Sequence, residues 1–329
     1  MKSDKIKINI NHSLPIIAMD ANAGSTLLAV SQQGATEKDP ILTLIDLKTR
    51  KEIHIIEHYD LNSIPSLAFS HTQDLLLYSK NDEQVEIFDL KKRSITDSIV
   101  TSRNRKIRCA KSSGKVVLSG TATEVWDAGN TTLLWREDKY KAFQQHGPVS
   151  TKDIKASWDP AAASRQAFIS QPAAACFFDH DKKILYAGVN EPKIFVYDLQ
   201  DKSLAPLLHD GPFQCNDLKL SRDEKYLCSL NQVPAGLFVW NLATKERAAR
   251  QHANEKEAPS SAIDFHPTKN ILAIGSATGY LTLLDIEQEK VLFSECIHDT
   301  KISQLLFVNE GRHVITASMS GELLLTEIS

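Results

Sequence analysis

The segment TSRNRKIR is a dense basic run in the chain and carries Arg103, Arg105, Lys106 and Arg108. Arginine presents a rigid fork of N–H donors that suits carboxylates and phosphates, so this run indicates recognition of an anionic group. The alternative interpretation is a solvated surface, because most charged side chains of a folded protein only face water. We expect these four side chains to meet an acidic segment of a protein partner.

The motifs of common catalytic chemistry are missing from the chain. It contains no G-x-x-x-x-G-K-[ST], G-x-G-x-x-G, H-E-x-x-H or G-x-S-x-G motif. The five cysteines are scattered and form no C-x-x-C pair, which argues against a disulfide framework and a zinc site. Asp179 and Asp181 fall in a predicted turn, where their carboxylates would bind backbone N–H groups. We therefore expect no catalytic residues, no metal and no cofactor.

One pattern recurs along the chain: an apolar strand, a polar turn, a second apolar strand, a small loop and a third strand that ends in a polar residue. The residues at this strand end are Asp46, Asp89, Asp127, Asp198, Asn241, Asp285 and, more loosely, Thr326. They lie 38 to 44 residues apart except for one interval of 71, which predicts an insertion at about residues 144–172. A period of about 40 residues is typical of a four-stranded propeller blade.

The chain resembles the WD40-repeat β-propellers. The resemblance rests on strand ends that pair an aromatic or apolar residue with Asp or Asn: Phe88-Asp89, Trp126-Asp127, Tyr197-Asp198, Trp240-Asn241 and Leu284-Asp285. No unit has the full Gly-His to Trp-Asp signature. The aspartate that the family often places before the third strand is replaced by Ala277-Thr278 and by Met319-Ser320 in the last two units. The resemblance implies an all-β, seven-bladed β-propeller of four-stranded antiparallel blades, with residues 1–329 forming a single domain.

The last unit has only three predicted strands, whereas Lys5 to Ile10 alternates polar and apolar residues as a half-buried strand does. We predict that this N-terminal strand joins the last blade and closes the ring, which leaves only short, protected sheet edges. The aromatic residues of the third strands are expected to fill the spaces between blades: Phe88, Trp126, Tyr197 and Trp240.

Histidines follow the third strand by 11 to 13 residues in four units: His58, His209, His252 and His298. Histidine is a common metal ligand, so a shared metal site is one interpretation. However, each histidine belongs to a different blade, and equivalent positions of a propeller lie too far apart to share an ion. We expect hydrogen bonding within each blade instead.

The composition excludes several classes of protein. The chain has 329 residues, of which 42% are hydrophobic and 24% charged, so it can form a core and is not a disordered chain. The balance of 38 Lys and Arg against 41 Asp and Glu gives no broad basic surface, so nucleic acid is not an expected partner. No signal peptide or membrane span is evident. We expect a cytoplasmic protein without membrane association, or a nuclear one in a eukaryote.

The predicted insertion 144–172 is rich in Ala, Ser, Gln and Pro but retains Trp158 and Phe168. A loop of this length is either functional or a flexible excursion, so it either folds back on the rim or contacts a partner. In the family, the loops between the second and third strands and the links between blades form the usual binding face. We expect the insertion, the loop at 31–40 and the basic run to lie there, with Trp158 and Phe168 as apolar anchors.

The sequence therefore predicts a non-catalytic scaffold or adaptor for protein–protein interaction, acting as a monomer or as a subunit of a hetero-complex. Two alternatives remain open. One is a metal-dependent, lactonase-like propeller hydrolase, because the fold alone does not decide function. The other is a phosphate- or nucleic-acid-binding module that uses the basic residues at 103–108.

Overall fold

The computed structural model describes residues 5–10, 14–33, 42–56, 66–81, 83–101, 104–120, 122–138, 174–187, 193–210, 214–233, 236–252 and 259–328. Within these residues, 28 strands form seven antiparallel sheets of four strands, and one short 3-10 helix covers Asn309–Gly311. This arrangement confirms the predicted seven-bladed β-propeller. No helix in the described ranges combines the length and the apolar character that a membrane span requires.

The first three blades each consist of four consecutive strands. Blade 1 contains β2 (Ile16–Ala21), β3 (Leu27–Gln32), β4 (Leu42–Asp46) and β5 (Lys51–Ile56). Blade 2 contains β6 (Leu67–Phe69), β7 (Leu75–Asn81), β8 (Gln84–Asp89) and β9 (Ser94–Val100). Blade 3 contains β10 (Asn104–Cys109), β11 (Lys115–Gly120), β12 (Ala122–Asp127) and β13 (Thr132–Asp138).

Blades 4 to 6 repeat this order. Blade 4 contains β14 (Ala175–Phe178), β15 (Lys183–Ala187), β16 (Ile194–Asp198) and β17 (Leu204–Leu208). Blade 5 contains β18 (Gln214–Leu220), β19 (Tyr226–Val233), β20 (Gly236–Asn241) and β21 (Glu246–His252). Blade 6 contains β22 (Ser260–Phe265), β23 (Ile271–Ser276), β24 (Tyr280–Asp285) and β25 (Lys290–Cys296). Blade 7 combines β26 (Ile302–Val308), β27 (His313–Ser318) and β28 (Leu323–Glu327) with β1 (Lys5–Ile8).

The N-terminal strand closes the ring as predicted. β1 pairs antiparallel with β28, in a register that runs from Lys5 opposite Thr326 to Ile8 opposite Leu323. Ile8 is only 1% exposed and belongs to the apolar cluster between blades 7 and 1. The ammonium group of Lys5 also contacts Glu295 on the outer strand of blade 6. β1 therefore covers the edge of β28 and joins the start of the described chain to its end.

The core of the molecule lies between the blades. Each of seven apolar clusters combines residues of two neighbouring blades, so every blade is packed on both faces. Phe88 lies in the cluster of blades 1 and 2, Tyr197 in that of blades 3 and 4, and Trp240 in that of blades 4 and 5. Trp126 packs half-buried against the cluster of blades 2 and 3. The predicted role of these aromatic residues is confirmed.

The Asp or Asn at the end of each third strand organises the turn that follows. Asp46 Oδ1 accepts the N–H of Thr49 at 2.6 Å, and Asp285 Oδ1 accepts that of Gln288 at 2.9 Å. The same residue type accepts a turn N–H in four further blades: Asp89, Asp127, Asp198 and Asn241. These contacts confirm the predicted turn chemistry.

The last position of this series is Glu327, so the assignment of Thr326 is wrong by one residue. Glu327 pairs with His313, the first residue of the second strand in blade 7, just as Asp285 pairs with Ile271 in blade 6. In blade 7 the third strand pairs with β1 from the far end of the chain, so no tight turn to a fourth strand marks this position in the sequence.

Alternating strand directions give the ring two distinct faces. The turns that join first to second and third to fourth strands lie on one face, which we call the turn face. The loops that join second to third strands and the links between blades lie on the other, which we call the link face.

Ser31 and Gln32 of the predicted loop 31–40 belong to β3 and are buried, and residues 34–40 lie outside the described ranges. The prediction of one domain over residues 1–329 remains a prediction.

Replacing Ile8 with Ala should lower the free energy of unfolding by about 2–5 kcal/mol, because the deletion leaves a cavity between blades 7 and 1. Urea denaturation followed by circular dichroism measures this loss. Lys7→Ala is the matched control on the same strand, since its side chain is 63% exposed and its contact with Glu322 is long, at 3.5 Å. Equal losses in the two variants would contradict closure by β1.

Deletion of residues 1–12 should lower the melting temperature strongly and promote aggregation, because the edge of β28 then becomes free to pair with other chains. Differential scanning calorimetry and light scattering measure the two effects. A truncated protein that melts like the full chain would show that the ring does not need this strand.

Candidate functional site

A channel runs between the first strands of the seven blades. It forms a cavity of about 690 Å³, lined by residues of β2, β6, β10, β14, β18, β22 and β26. Each of these strands is bonded to another strand along one edge only, so its free edge borders the channel. Six charged residues of these strands line the cavity: Asp20, Lys106, Arg108, Asp217, Lys219 and Asp264. We call these six residues the channel charge cluster.

Asp217 of blade 5 binds two cations of blade 3. Arg108 Nη2 donates to both carboxylate oxygens of Asp217, at 2.8 and 3.0 Å, and Lys106 Nζ lies 3.2 Å from Asp217 Oδ2. The side chains are largely buried, with 14% of Asp217 and 26% of Arg108 exposed. Charge-assisted hydrogen bonds are among the strong ones in proteins. The contact therefore ties blade 3 to blade 5 past the inner edge of blade 4.

Small residues of blade 4 leave room for this contact. Cys176 is level with Arg108 and Lys219, because each of the three pairs with the third residue of the second strand in its own blade. Ala174, two residues before Cys176, is also buried. A long side chain at either position would compete with Arg108 for the space beside Asp217.

The other members of the cluster connect further blades. Lys219 Nζ lies 3.2 Å from Asp264 Oδ1, and the N–H of Phe307 donates to Asp264 Oδ2 at 2.9 Å, which joins blades 5, 6 and 7. The N–H of Phe69 donates to Asp20 Oδ2 at 2.8 Å, which joins blades 1 and 2. Three carboxylates thus face three cations, and the formal charges of the cluster cancel.

Burial and neighbouring charges act in opposite directions on the carboxylates. Burial alone would raise the pKa of Asp217, but Arg108 and the two lysines outweigh it and hold this pKa below its usual range. Burial dominates at Asp20 and raises its pKa, because the N–H of Phe69 and the neighbouring cations offset only part of the effect. The surrounding cations therefore favour the charged form of Asp217, whereas burial disfavours the charged form of Asp20.

The structure corrects the placement of Lys106 and Arg108. Both lie in β10, which begins at Asn104, so the interpretation of residues 104–108 as a link between blades is wrong. The physical reason is visible in the alternation of the segment: Ile107, between the two cations, is fully buried against blade 2. Lys106 and Arg108 already have an internal partner, and their binding of a second protein remains a prediction.

The remaining residues of the predicted partner site are placed only in part. Arg105 belongs to β10, and nothing is described of its side chain. Arg103, Trp158, Phe168 and the whole segment 144–172 lie outside the described residues. Whether these side chains lie together, and what role they have, remain predictions.

The acidic half of the charge cluster was missed from the sequence. A signal was present, because Asp217 and Lys219 alternate with apolar residues in DLKL, and Asp264 interrupts the apolar segment AIDF. The repeat pattern assigns these residues to the first strand of a blade, near the centre of the ring. Charged residues that are buried there must be paired or neutralised. The sequence does not say which cation each carboxylate meets.

His298 is buried in the link between blades 6 and 7. Its Nδ1 lies 3.0 Å from Glu322 Oε2 and its Nε2 lies 2.9 Å from Thr316 Oγ1. Burial lowers the pKa of His298, and the Glu322 carboxylate offsets part of that effect. His298 is hydrogen-bonded as expected, but both partners belong to blade 7 and not to blade 6, which it follows in the chain. Glu322 supplies an acid just after Met319-Ser320, the pair that replaces the family's aspartate in this unit.

The other histidines of the series are described only in part. His209 is exposed after β17, His252 is the last residue of β21, and His58 lies outside the described residues. Among the described residues, no three or more His, Cys, Asp and Glu side chains are grouped to hold a metal ion.

Of the two carboxylates in this turn, Asp181 binds backbone N–H groups as expected, whereas Asp179 binds a lysine. Asp181 accepts the N–H of Ser112 at 2.6 Å and that of Lys111 at 3.2 Å. These groups belong to the equivalent turn of blade 3, so the carboxylate joins two blades on the turn face. Asp179 pairs with Lys183 at 2.7 Å.

No protein-family model matches the chain. The chain is 21% identical over 253 residues to the protein named "Transcription factor unc-37" from Caenorhabditis elegans. The alignment covers 75% of this chain and 37% of the relative, so the chain spans little more than a third of that protein's length. Seven four-stranded blades and this similarity agree with the resemblance seen in the sequence. The chain is a seven-bladed β-propeller that resembles the WD40 proteins.

In this WD40-like propeller, replacing Asp217 with Asn should lower the free energy of unfolding at neutral pH by roughly 3–5 kcal/mol, because Lys106 and Arg108 would be left buried without a counter-charge. Urea denaturation measures the loss. Asp201→Asn removes the same charge from an exposed turn of blade 4 and should change stability by less than about 0.5 kcal/mol. Similar losses in both variants would show that the Asp217 contacts contribute little.

The stability difference between the WD40-like propeller and its Asp217→Asn variant should depend on pH in one direction. The pKa of Asp217 is lower in the folded than in the unfolded protein, so its contribution is fully present above the usual value of 3.8 and is lost as the pH falls below it. We expect a constant difference from about pH 5 to pH 7 and a smaller one below about pH 4. A difference that grows on acidification would contradict this assignment.

Proposed function

We propose that the protein is a non-catalytic scaffold that binds protein partners through its exposed faces. The observation that carries this proposal is the internal pairing of the channel charges, since Asp217 binds Lys106 and Arg108 while Asp264 binds Lys219. In a pocket that binds a small ligand, a few polar groups fix the orientation of the ligand, whereas these charged groups bind one another. Here the pairs hold blades together, and recognition is left to the faces and the rim.

The similarity to the protein named "Transcription factor unc-37" supports the nuclear alternative for the location of this chain. The alignment reaches only 37% of the relative. We therefore propose a shared propeller module and no shared partner.

On the link face we propose Arg103, Arg105, Trp158 and Phe168 as partner contacts. The segment 139–173, which includes the predicted insertion, leaves the ring between β13 and β14. β10, with Arg105, belongs to the blade that ends in β13. Arg105 and the inserted segment thus belong to the same part of the ring. This proximity supports a common site, in which the arginines meet an acidic partner segment and Trp158 and Phe168 act as apolar anchors.

Deletion of residues 144–172 should abolish co-purification of the partner while leaving the melting temperature nearly unchanged, because the deletion removes no described strand. Affinity purification with mass spectrometry identifies proteins that are present with the full chain and lost with the deletion. Arg103→Glu with Arg105→Glu should remove the same proteins.

Arg108 stays unchanged in that variant, because its reversal would disrupt the channel rather than a surface. Lys202→Glu is the control on the turn face. Retention of every partner by the deletion variant would refute the link-face site. Stoichiometric metal together with hydrolase activity in the purified protein would refute the scaffold and favour the propeller enzyme.

A further inference from the structure

The turns between third and fourth strands repeat one geometry around the ring. In each, the residue four positions after the strand-end Asp or Asn has a left-handed backbone, with φ of 57° at Arg50, 54° at Arg93, 53° at Lys202 and 61° at Lys245. The N–H groups of Arg50 and Arg93 donate to the carbonyls of Asp46 and Asp89 at 2.7 and 2.8 Å. Residues at the same position of these turns therefore occupy the same place in their respective blades on the turn face.

Blades 1 and 2 fill these turns with cations. All six are exposed, and we call them the basic rim: Lys48, Arg50, Lys51, Lys91, Lys92 and Arg93. In the next four blades, the positions two and four residues after the strand-end Asp or Asn are occupied by Gly129 and Thr131, Gln200 and Lys202, Ala243 and Lys245, and Glu287 and Glu289. The basic rim is therefore a local feature of two blades and no property of the turn itself.

The two halves of the basic rim are neighbours. Blades 1 and 2 share an apolar cluster that includes Leu44 of β4 and Phe88 of β8, the strands that lead into the two turns. The hydrogen bond from Phe69 to Asp20 fixes the same pair of blades at the channel. The two sets of cations thus form one patch on a rigid support.

The cations of the basic rim remain available to a partner. Lys91 lies 2.5 Å from Asp74 and Lys92 lies 3.4 Å from Asp89, but the two lysine side chains are 80% and 69% exposed, so these pairs exchange easily with other anions. No ion pair is found for Arg50 or Arg93 among the described residues. Asp89 is further occupied by the N–H groups of two turn residues.

We propose that the basic rim docks an acidic protein segment, with Asp and Glu side chains spaced to meet the two sets of cations. Asp46, Asp74 and Asp89 lie between and beside these cations, and the chain as a whole carries a net charge of −3. A continuous phosphate backbone would meet those carboxylates, whereas a peptide can place its anions one at a time. This surface is additional to the link-face site and lies on the opposite face.

The test uses the full chain and a fluorescent, Asp- and Glu-rich synthetic peptide in anisotropy titrations at low salt. Arg50→Glu with Arg93→Glu should weaken peptide binding about tenfold or more, since each reversal replaces an attraction with a repulsion. Lys202→Glu with Lys245→Glu is the matched control, because it changes net charge equally at the same step of the turn in blades 4 and 5. This control should retain affinity within about threefold.

Both double variants should melt like the parent protein, because all four residues are exposed and Glu289 already adopts the same left-handed backbone in blade 6. An equal loss of peptide affinity in the two double variants would overturn the proposal, because it would reduce the effect to net charge. Absence of peptide binding by the parent protein would also overturn it. A short duplex DNA serves as the second probe. If it binds more tightly than the peptide, and if its binding depends on Arg50 and Arg93, the proposed protein partner is wrong and nucleic acid is favoured. None of these outcomes bears on the link-face deletion, so the two proposals fail separately.

Discussion

The pairing of β1 with β28 is the contact on which the ring depends. Every apolar cluster of the molecule is shared by two blades, so no blade buries its faces alone. The chain runs through the blades in order, and the ring closes without a covalent bond inside blade 7. There, four residue pairs between β1 and β28 and the buried side chain of Ile8 hold the two ends together. Closure therefore fixes the seven blades relative to one another, and with them the described turns that the blades carry.

Polar contacts between blades add a second layer to this closure. Along the channel, Asp217, Asp264 and Asp20 each reach a different blade, and on the turn face Asp181 does the same. Such contacts are strong only when their charges are matched, because an unpaired charge in a partly buried site is costly. The formal charges of the channel residues cancel, which fits a structural role for the channel and a binding role for the surfaces.

The basic rim and the channel differ in whether neighbours in the sequence determine the surroundings of their cations. The basic rim consists of turn residues whose geometry is set within five consecutive positions, as in Asp46 and Asp89 with the cations that follow them. Lys106 and Arg108 are placed differently, because β10 carries them into the channel, where Asp217 binds them. Cations of two basic segments thus have opposite locations, one set on the surface and the other inside.

The sequence by itself determined the number of blades, the strand order and the closing strand, because periodic apolar strands and polar turns are local patterns repeated along the chain. It also identified the turn-forming acids, apart from the shift from Thr326 to Glu327. Only the tertiary structure decided that Arg108 meets Asp217, a residue 109 positions away, and that Glu322 lies beside His298. The physical reason is that hydrophobic periodicity reports which side of a strand is buried, whereas the partner of a buried charge depends on which blades the ring brings together.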